Sequence, residues 1–175
     1  MWFKEIEALL KRQPPEELPL RDFTPSAVGV PLSIIEGKLS LTFILRTMKV
    51  NHPGQIGFPG GQYEPKDQNL YNTVLREVEE ELGIKKELIY PLGQLSDQTT
   101  PSKFWIRPFV ILIPGNMEYK AADKIEVEKI FSIPVLNFVK KTGLYGVEFW
   151  DKDLRIWGVT ARIMEELFQK INLKI

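Results

Sequence analysis

The sequence predicts an α+β fold, in which helices pack on a mostly antiparallel or mixed β-sheet. Two observations lead to this prediction. Apolar residues recur at helical spacing in three separate segments, and runs rich in Val, Ile, Leu and Phe, typical of strands, lie between them. The 175 residues correspond to one domain at the usual size of roughly 150 residues, with room for a short appendage.

The N-terminal segment is predicted to be a helix followed by a connector. Apolar residues between Trp2 and Leu10 fall at helical spacing, which predicts an amphipathic helix that serves as a lid or a brace. Because proline lacks a backbone donor, an extended connector is expected where prolines follow closely: Pro14, Pro15, Pro19, Pro25 and Pro31. We therefore place the N-terminal helix and connector at residues 1–26 and the main domain at residues 27–175.

The main domain begins with a predicted β-hairpin, because segments 27–36 and 39–46 are strand-like and are joined at Gly37. A helix is predicted over residues 67–82, where Leu70, Val74, Val78 and Leu82 recur at every fourth position. Gly83 is a suitable residue to end it. The remaining predicted elements are strands at 92–100, 104–113, 125–133, 146–150 and 154–157, and a closing helix from Val159 to Ile171.

Composition excludes several classes of function. The chain has 23 basic and 23 acidic residues, so it lacks the positive charge excess that non-specific binding to nucleic acids or membrane surfaces requires. It has no cysteine and a single histidine, His52, which excludes thiolate chemistry and zinc sites built from cysteine or several histidines. No apolar run approaches the roughly 18 residues of a membrane span. A cytoplasmic protein without nucleic-acid or membrane partners is expected.

The densest chemical signal is an acidic helix. At about 100° per residue, Glu77, Glu80 and Glu81 lie on one face, while Glu79 points to the opposite side. Such carboxylates repel one another unless a cation lies among them, and oxygen ligands without histidine or thiolate select Mg²⁺ or Mn²⁺. Arg76 lies one turn before Glu80 and can orient its carboxylate. The alternative interpretation is an acidic face in contact with solvent.

A glycine pair precedes the acidic helix. In Pro59-Gly60-Gly61 no side chain obstructs the approach of a ligand to the backbone. Glycines alone would indicate only a tight turn. Next to the acidic helix, they favour a ligand site.

These residues together resemble the Nudix box, G-x5-E-x7-R-E-U-x-E-E-x-G-U, where U is aliphatic. Gly61 is followed after five residues by Asp67, and Arg76 to Ile84 matches every fixed position of the second half. The sequence departs from the box twice, because Asp67 replaces glutamate and eight residues instead of seven separate it from Arg76. The resemblance implies an α/β/α sandwich with a mixed sheet, and hydrolysis of a nucleoside diphosphate linked to another moiety.

Three further segments look like the coenzyme A pyrophosphohydrolase branch of this family: 54–61, 93–110 and 156–162. This resemblance, which covers about residues 27–168, implies cleavage of coenzyme A to 3′,5′-ADP and 4′-phosphopantetheine. The branch has two basic residues upstream of Gly54, and Arg46 and Lys49 each lie one residue away from those positions. On this interpretation both bind the 3′-phosphate of the coenzyme; the alternative is that they are ordinary loop charges.

The resemblance also implies a role for each site residue. Glu77 and Glu81 would bind the metal ions, Glu80 would be a third or shared ligand, and Gly60 and Gly61 would approach the substrate. The general base would be Glu80 or Glu126, and the alternative for Glu126 is a surface charge. Two other functions stay open: hydrolysis of ADP-ribose or a dinucleotide polyphosphate, and nucleotide sensing without cleavage. The three glutamates argue against a sensor, which does not need a metal cluster.

Overall fold

The computed structural model describes residues 3–18, 22–47, 54–121 and 126–175. The helices of this part are α1 (Phe3–Arg12), α2 (Leu70–Leu82) and α3 (Gly158–Lys170). Its strands are β1 (Thr24–Ile35), β2 (Lys38–Arg46), β3 (Ile56–Gly57), β4 (Gly60–Gln62), β5 (Tyr90–Gln94), β6 (Gln98–Thr99), β7 (Phe104–Leu112), β8 (Val127–Pro134), β9 (Val139–Gly143), β10 (Gly146–Asp151) and β11 (Leu154–Ile156). Short 3₁₀ turns lie at Pro65–Asp67, Lys86–Leu88 and Val135–Asn137.

The main sheet is mixed, as predicted. Its strand order is β3-β2-β1-β7-β5, and β4, β6 and β8 add to β1, β7 and β2 respectively. β1 runs parallel to β7, whereas the other pairs are antiparallel. β9, β10 and β11 form a smaller antiparallel sheet.

The main sheet lies between two apolar layers. On one side, Val74, Val78 and Leu82 of α2 pack in a core that includes Ile44 and Ile111 of the sheet. On the other side, α1, α3 and the smaller sheet share a second core, whose largest fully buried side chains include Phe43, Phe149 and Ile6. The α+β arrangement predicted from the sequence is therefore confirmed. None of the helices described here is long and apolar enough to cross a membrane.

The predicted hairpin is present as β1 and β2. Its turn residues, Glu36 and Gly37, have φ angles of 50° and 76°, which suits a two-residue turn between twisted strands. The connector predicted to end at residue 26 includes Pro25, and this boundary is wrong, because β1 begins at Thr24. Pro31, also one of the five prolines, lies inside β1 as well. Pro31 is tolerated where β1 changes partner, between the residues that pair with β4 and those that pair with β2.

The N-terminal helix serves as a brace. Ile6 and Leu10 are almost completely buried in the core that α3 also contributes to. Leu10 packs closely on Gly93 of β5. A Cβ added to Gly93 would lie 3.0 Å from the Cβ of Leu10.

Two predicted boundaries are wrong for local reasons. The helix predicted over 67–82 begins at Leu70, because the Asn69 side chain accepts a hydrogen bond from the Asn72 N–H at 2.9 Å and caps it there. The strand predicted at 92–100 divides into β5 and β6, because the backbone between them leaves the ladder. There the Asp97 N–H donates to the Glu16 carbonyl, and the Ser96 N–H donates to the Glu166 carboxylate.

Asp97 also fastens the connector to the sheet. Its fully buried carboxylate accepts hydrogen bonds from Arg107 Nε at 2.9 Å, from Arg107 Nη2 at 3.0 Å and from the Leu18 N–H at 2.9 Å. Burial alone would raise the pKa of Asp97, but the Arg107 guanidinium and the Leu18 N–H hold it below its usual value. The ionised carboxylate therefore stabilises the folded state.

We expect Asp97→Asn to lower the free energy of unfolding by about 3 kcal/mol at pH 7, because it leaves Arg107 partly buried without its main counter-charge. The contribution of a carboxylate with a lowered pKa is present above its unfolded value of about 3.9 and is lost as the pH falls through the folded value. The difference between variant and wild type should therefore shrink at pH 3. Urea unfolding at both pH values measures it.

The exposed Asp153 provides the control, since Asp153→Asn should change stability by less than about 0.5 kcal/mol. Equal stability of Asp97→Asn and wild type at pH 7 would contradict the role given to Asp97.

Candidate active site

The glycine pair and the acidic helix form one packed unit. β4 pairs with β1 and places Gly60 and Gly61 against α2. The Gly60 N–H donates a 2.8 Å hydrogen bond to Glu81 Oε2. A Cβ at Gly61 would lie 2.2 Å from Glu77 Oε1, and one at Gly60 would lie 2.3 Å from the Ala27 carbonyl oxygen. Both positions therefore need glycine, because a side chain at Gly61 would collide with the Glu77 carboxylate and one at Gly60 would collide with the backbone of β1.

Arg76 joins this unit to the preceding turn. Its guanidinium donates to Asp67 Oδ1 from Nε at 2.9 Å and to Asp67 Oδ2 from Nη2 at 3.1 Å. Nη1 donates to Glu77 Oε1 at 2.7 Å and to Glu80 Oε2 at 3.2 Å, while Nη2 also reaches the Gln62 carbonyl at 3.1 Å. The hydrogen bonds from Arg76 lower the pKa of Asp67 to about 2. Arg76 thus orients both glutamates.

The two departures from the Nudix box are accommodated before α2 begins. Pro65–Asp67 forms a 3₁₀ turn, and Gln68 takes a left-handed conformation with φ at 67°. This short irregular segment absorbs the additional residue. Despite its shorter side chain, Asp67 still pairs with Arg76 through both carboxylate oxygens.

Glu81 is the most deeply buried of the three glutamates predicted to bind metal, with 4% of its surface exposed. Its Oε1 has no hydrogen-bond partner among the described residues, and the nearest cation is Arg46 Nη2 at 3.9 Å. Arg46 also donates to the Gly60 carbonyl at 3.3 Å. Burial raises the pKa of Glu81 to about 8, although Arg46 and the Gly60 N–H oppose this rise.

The other carboxylates differ in exposure. Glu77 is 9% exposed, and burial raises its pKa against the effect of Arg76. Glu126 is exposed, yet its charge contributes to raising the pKa of both Glu77 and Glu81, so it lies near them. The Glu80 side chain is half exposed on the outer side of the cluster.

The chemistry of this cluster fits a hard divalent cation. Glu77 is held by a donor from Arg76, and Glu81 is held by the Gly60 N–H. Within the described ranges, however, no three acidic or histidine side chains are already arranged around a common point where a metal ion would bind. The fit rests on the unpartnered, buried Glu81 Oε1, an acceptor that a cation would satisfy. The predicted ligand set of Glu77, Glu80 and Glu81 stays a prediction.

A pocket of about 450 Å³ opens beside the carboxylates. Of the residues singled out in the sequence, Arg46, Gly60, Gly61, Glu77 and Glu126 line it. Arg76, Glu80 and Glu81 are not on its wall; Arg76 contacts Glu77 and Glu81 contacts Gly60, both of which line the pocket. Lys49 and His52 lie outside the described residues, so the phosphate contact predicted for Lys49 stays a prediction.

Sequence reasoning missed a part of the pocket lining. It consists of Val159, Thr160 and Ile163 from α3 and of Thr100, Phe104 and Ile106 from β7 and the turn before it. The apolar spacing in α3 marks only its core face. The one signal that points to these residues is the resemblance of segments 93–110 and 156–162 to the coenzyme A branch.

A comparison with protein-family models matches residues 23–134 to the NUDIX domain. Among curated proteins, the "Uncharacterized Nudix hydrolase NudL" of Yersinia enterocolitica is 34% identical over 134 residues, covering 70% of this chain and 68% of that protein. The protein of the same name from Yersinia pestis is 32% identical over 134 residues, covering 70% of this chain and 67% of that protein.

Solved structures agree on the fold. A MutT/nudix family protein from Enterococcus faecalis superimposes with a TM-score of 0.60 at 18% identity, covering 99% of this chain and 71% of that chain. The NUDIX domain of Shewanella oneidensis NrtR, complexed with ADP ribose, superimposes with a TM-score of 0.52 at 17% identity. This match covers 67% of this chain and 76% of that chain. The family model, the relatives and the Glu77–Gly61 and Glu81–Gly60 contacts lead to one conclusion: this chain belongs to the Nudix hydrolase family.

Proposed function

We propose that the chain hydrolyses the diphosphate of coenzyme A or its derivatives, releasing 3′,5′-ADP and 4′-phosphopantetheine. The observation that carries the hydrolase chemistry is the contact of Glu77 and Glu81 with Gly61 and Gly60 at the edge of the pocket. There, carboxylate oxygens that suit a cation lie beside backbone that a phosphate can approach closely.

The coenzyme A assignment rests on the pocket. The three segments that resemble the coenzyme A branch are far apart in the chain, yet residues from all three line the same cavity. Segment 54–61 contributes Gln55 to Phe58 and both glycines, segment 93–110 contributes Phe104 and Ile106, and segment 156–162 contributes Val159 and Thr160. If this chain and the coenzyme A branch bind the same substrate, their sequences should be similar at the residues that line this cavity.

In this mechanism, Glu77 and Glu81 would hold Mg²⁺ or Mn²⁺, with Glu80 as a third or shared ligand. When bound, the cation supplies charge neutralisation at the diphosphate and acidifies a water molecule. Arg76 keeps the Glu77 and Glu80 carboxylates in place through the two contacts from its Nη1. The base that removes the proton from water is Glu80 or Glu126. Glu126 lines the pocket, and this position supports its role as the base.

Incubation with an equimolar mixture of coenzyme A, ADP-ribose and dinucleotide polyphosphates tests the substrate. We expect mass spectrometry to show 3′,5′-ADP and 4′-phosphopantetheine as the earliest products. Preferential release of AMP from ADP-ribose would assign the chain to another Nudix substrate. Binding without any cleavage in the presence of Mg²⁺ or Mn²⁺ would indicate a nucleotide-sensing module.

Glu81→Gln and Glu77→Gln should each lower kcat by at least about a hundredfold, because each removes an anionic ligand of the cation. Wild-type activity should require Mg²⁺ or Mn²⁺ and stop in excess chelator. Steady-state kinetics with each metal measures both effects. Glu79→Gln is the matched control, since Glu79 is exposed on the other side of α2 and should retain normal turnover.

The melting temperature provides a readout that does not depend on turnover. A cation at about a hundred times its Kd would stabilise the wild type by about 2.7 kcal/mol, and Glu81→Gln should lose most of this gain. Full activity in excess chelator, or a melting temperature of the wild type that does not respond to either metal, would rule out the metal cluster.

The position of Arg46 changes what we expect of it. The sequence resemblance assigns it to the 3′-phosphate. In the structure, however, Arg46 lies at the carboxylate cluster, 3.9 Å from Glu81 Oε1 and hydrogen-bonded to Gly60. Because the diphosphate must approach this cluster to be cleaved, we expect Arg46 to contact the diphosphate itself.

Arg46→Ala should therefore lower kcat/KM for coenzyme A and for dephospho-coenzyme A by similar factors, roughly ten- to a hundredfold, the range expected for one charge-assisted phosphate contact. Kinetics on the two substrates measures this ratio. Arg12→Ala, which removes an exposed charge from α1, should affect neither substrate. A loss of kcat/KM for coenzyme A alone would show instead that Arg46 binds the 3′-phosphate.

A further inference from the structure

The first turn of α3 presents unused hydrogen-bond donors at the pocket. The helix is 13 residues long, and its N-cap residue, Trp157, makes no side-chain capping bond. In the part of the chain that the structure describes, the N–H groups of Gly158, Val159 and Thr160 have no acceptor outside the helix. Free donors at the positive end of a helix dipole attract anions.

Thr160 gives an independent sign of a ligand at this turn. Its side chain lines the pocket although only 8% of the residue is exposed. No residue in the described ranges hydrogen-bonds its hydroxyl. The hydroxyl oxygen lies beside Gly57, another residue of the pocket lining, at 3.8 Å from the position of a Cβ built there. The Thr160 side chain is thus held in place by burial, while its hydroxyl faces the pocket without a protein partner and is free to bind a ligand.

The turn is also accessible and fixed in place. Gly158 has a φ angle of 66°, and a Cβ built on it would meet nothing within 4 Å, so a ligand can approach the backbone there. One turn later, Arg162 binds Gln98 Oε1 at 3.0 Å and the Thr99 carbonyl at 2.9 Å. These bonds hold the start of α3 against β6, so the donors are oriented before a ligand arrives.

We propose that the first turn of α3, with the Thr160 hydroxyl, binds a phosphate group of the substrate that is not hydrolysed. This inference rests on the proposed function, under which that group is the 3′-phosphate of coenzyme A. Arg46 is engaged with Glu81 and Gly60 on the carboxylate side of the pocket. Val159 and Thr160 of the α3 turn line the same pocket as Arg46 and Glu77, so one substrate could place its diphosphate at the carboxylates and its other phosphate at the helix.

Product binding tests this site without turnover. Isothermal titration in Mg²⁺ compares 3′,5′-ADP with AMP, which lacks the 3′-phosphate, on wild type, Thr160→Val and Thr160→Ser. Wild type should bind 3′,5′-ADP more tightly than AMP. Thr160→Val keeps the shape of the side chain and removes the hydroxyl, so it should weaken 3′,5′-ADP binding roughly tenfold and leave AMP binding unchanged. Thr160→Ser keeps the hydroxyl and should bind like wild type.

The possible results separate this site from the proposed function. If wild type cleaves coenzyme A but Thr160→Val binds 3′,5′-ADP as wild type does, the α3 site is wrong and the activity stands. If wild type shows no preference for 3′,5′-ADP over AMP, or if Thr160→Val weakens both ligands equally, the α3 site is also overturned. Failure of wild type to cleave coenzyme A in the product analysis overturns the substrate assignment instead.

Discussion

The arrangement of the active site depends on the guanidinium of Arg76. This one group binds the Asp67 carboxylate through two hydrogen bonds, the Gln62 carbonyl of β4, and the carboxylates of Glu77 and Glu80. It therefore ties together a turn, a strand and a helix, and adds to the hydrogen bonds that Gly60 makes with Glu81 and that Thr73 makes with Asp67. Because arginine stays protonated at any working pH, the positive charge at the centre of this connection is constant. Acidic residues can then be concentrated on α2 while the protein stays folded.

Much of this half of the site could be predicted because its signals are local. The apolar spacing of α2 determines which of its faces is buried, and the positions of Glu77 and Glu81 follow from that face. The glycines next to Pro59 indicate a close approach, and the structure shows that the partners are these two carboxylates. The hairpin and α3 were likewise predictable from periodicity. The start of α2 at Leu70 also has a local cause, the Asn69 cap. The helical spacing alone did not identify it, because residues 67–69 can be added to the predicted helix without breaking the pattern.

The rest of the site could not be predicted from local patterns. Thr160 and Ile106 line the pocket together, yet no periodicity indicates which strands and helices become neighbours. The strand β9 was missed because most of its residues are exposed, so it lacks the apolar alternation by which strands are predicted. Arg46 was identified as a site residue, but whether it faces a phosphate or a carboxylate depends on how β2 lies beside β4. Tertiary geometry decides such questions.

The parallel pairing of β1 with β7 has a consequence for how the molecule folds. Thr24 pairs with Phe104 and Leu32 with Leu112, so most of the chain between them must be looped out before this ladder can close. Such non-local pairing slows folding, because loop entropy is lost before the contacts form. β4, with its two glycines, is built on β1, whereas α2 can begin to form from its own sequence. We therefore expect the pocket to be completed late in folding, because its acidic helix can form from local sequence, whereas the residues from β7 and α3 reach it only after the central strands have paired.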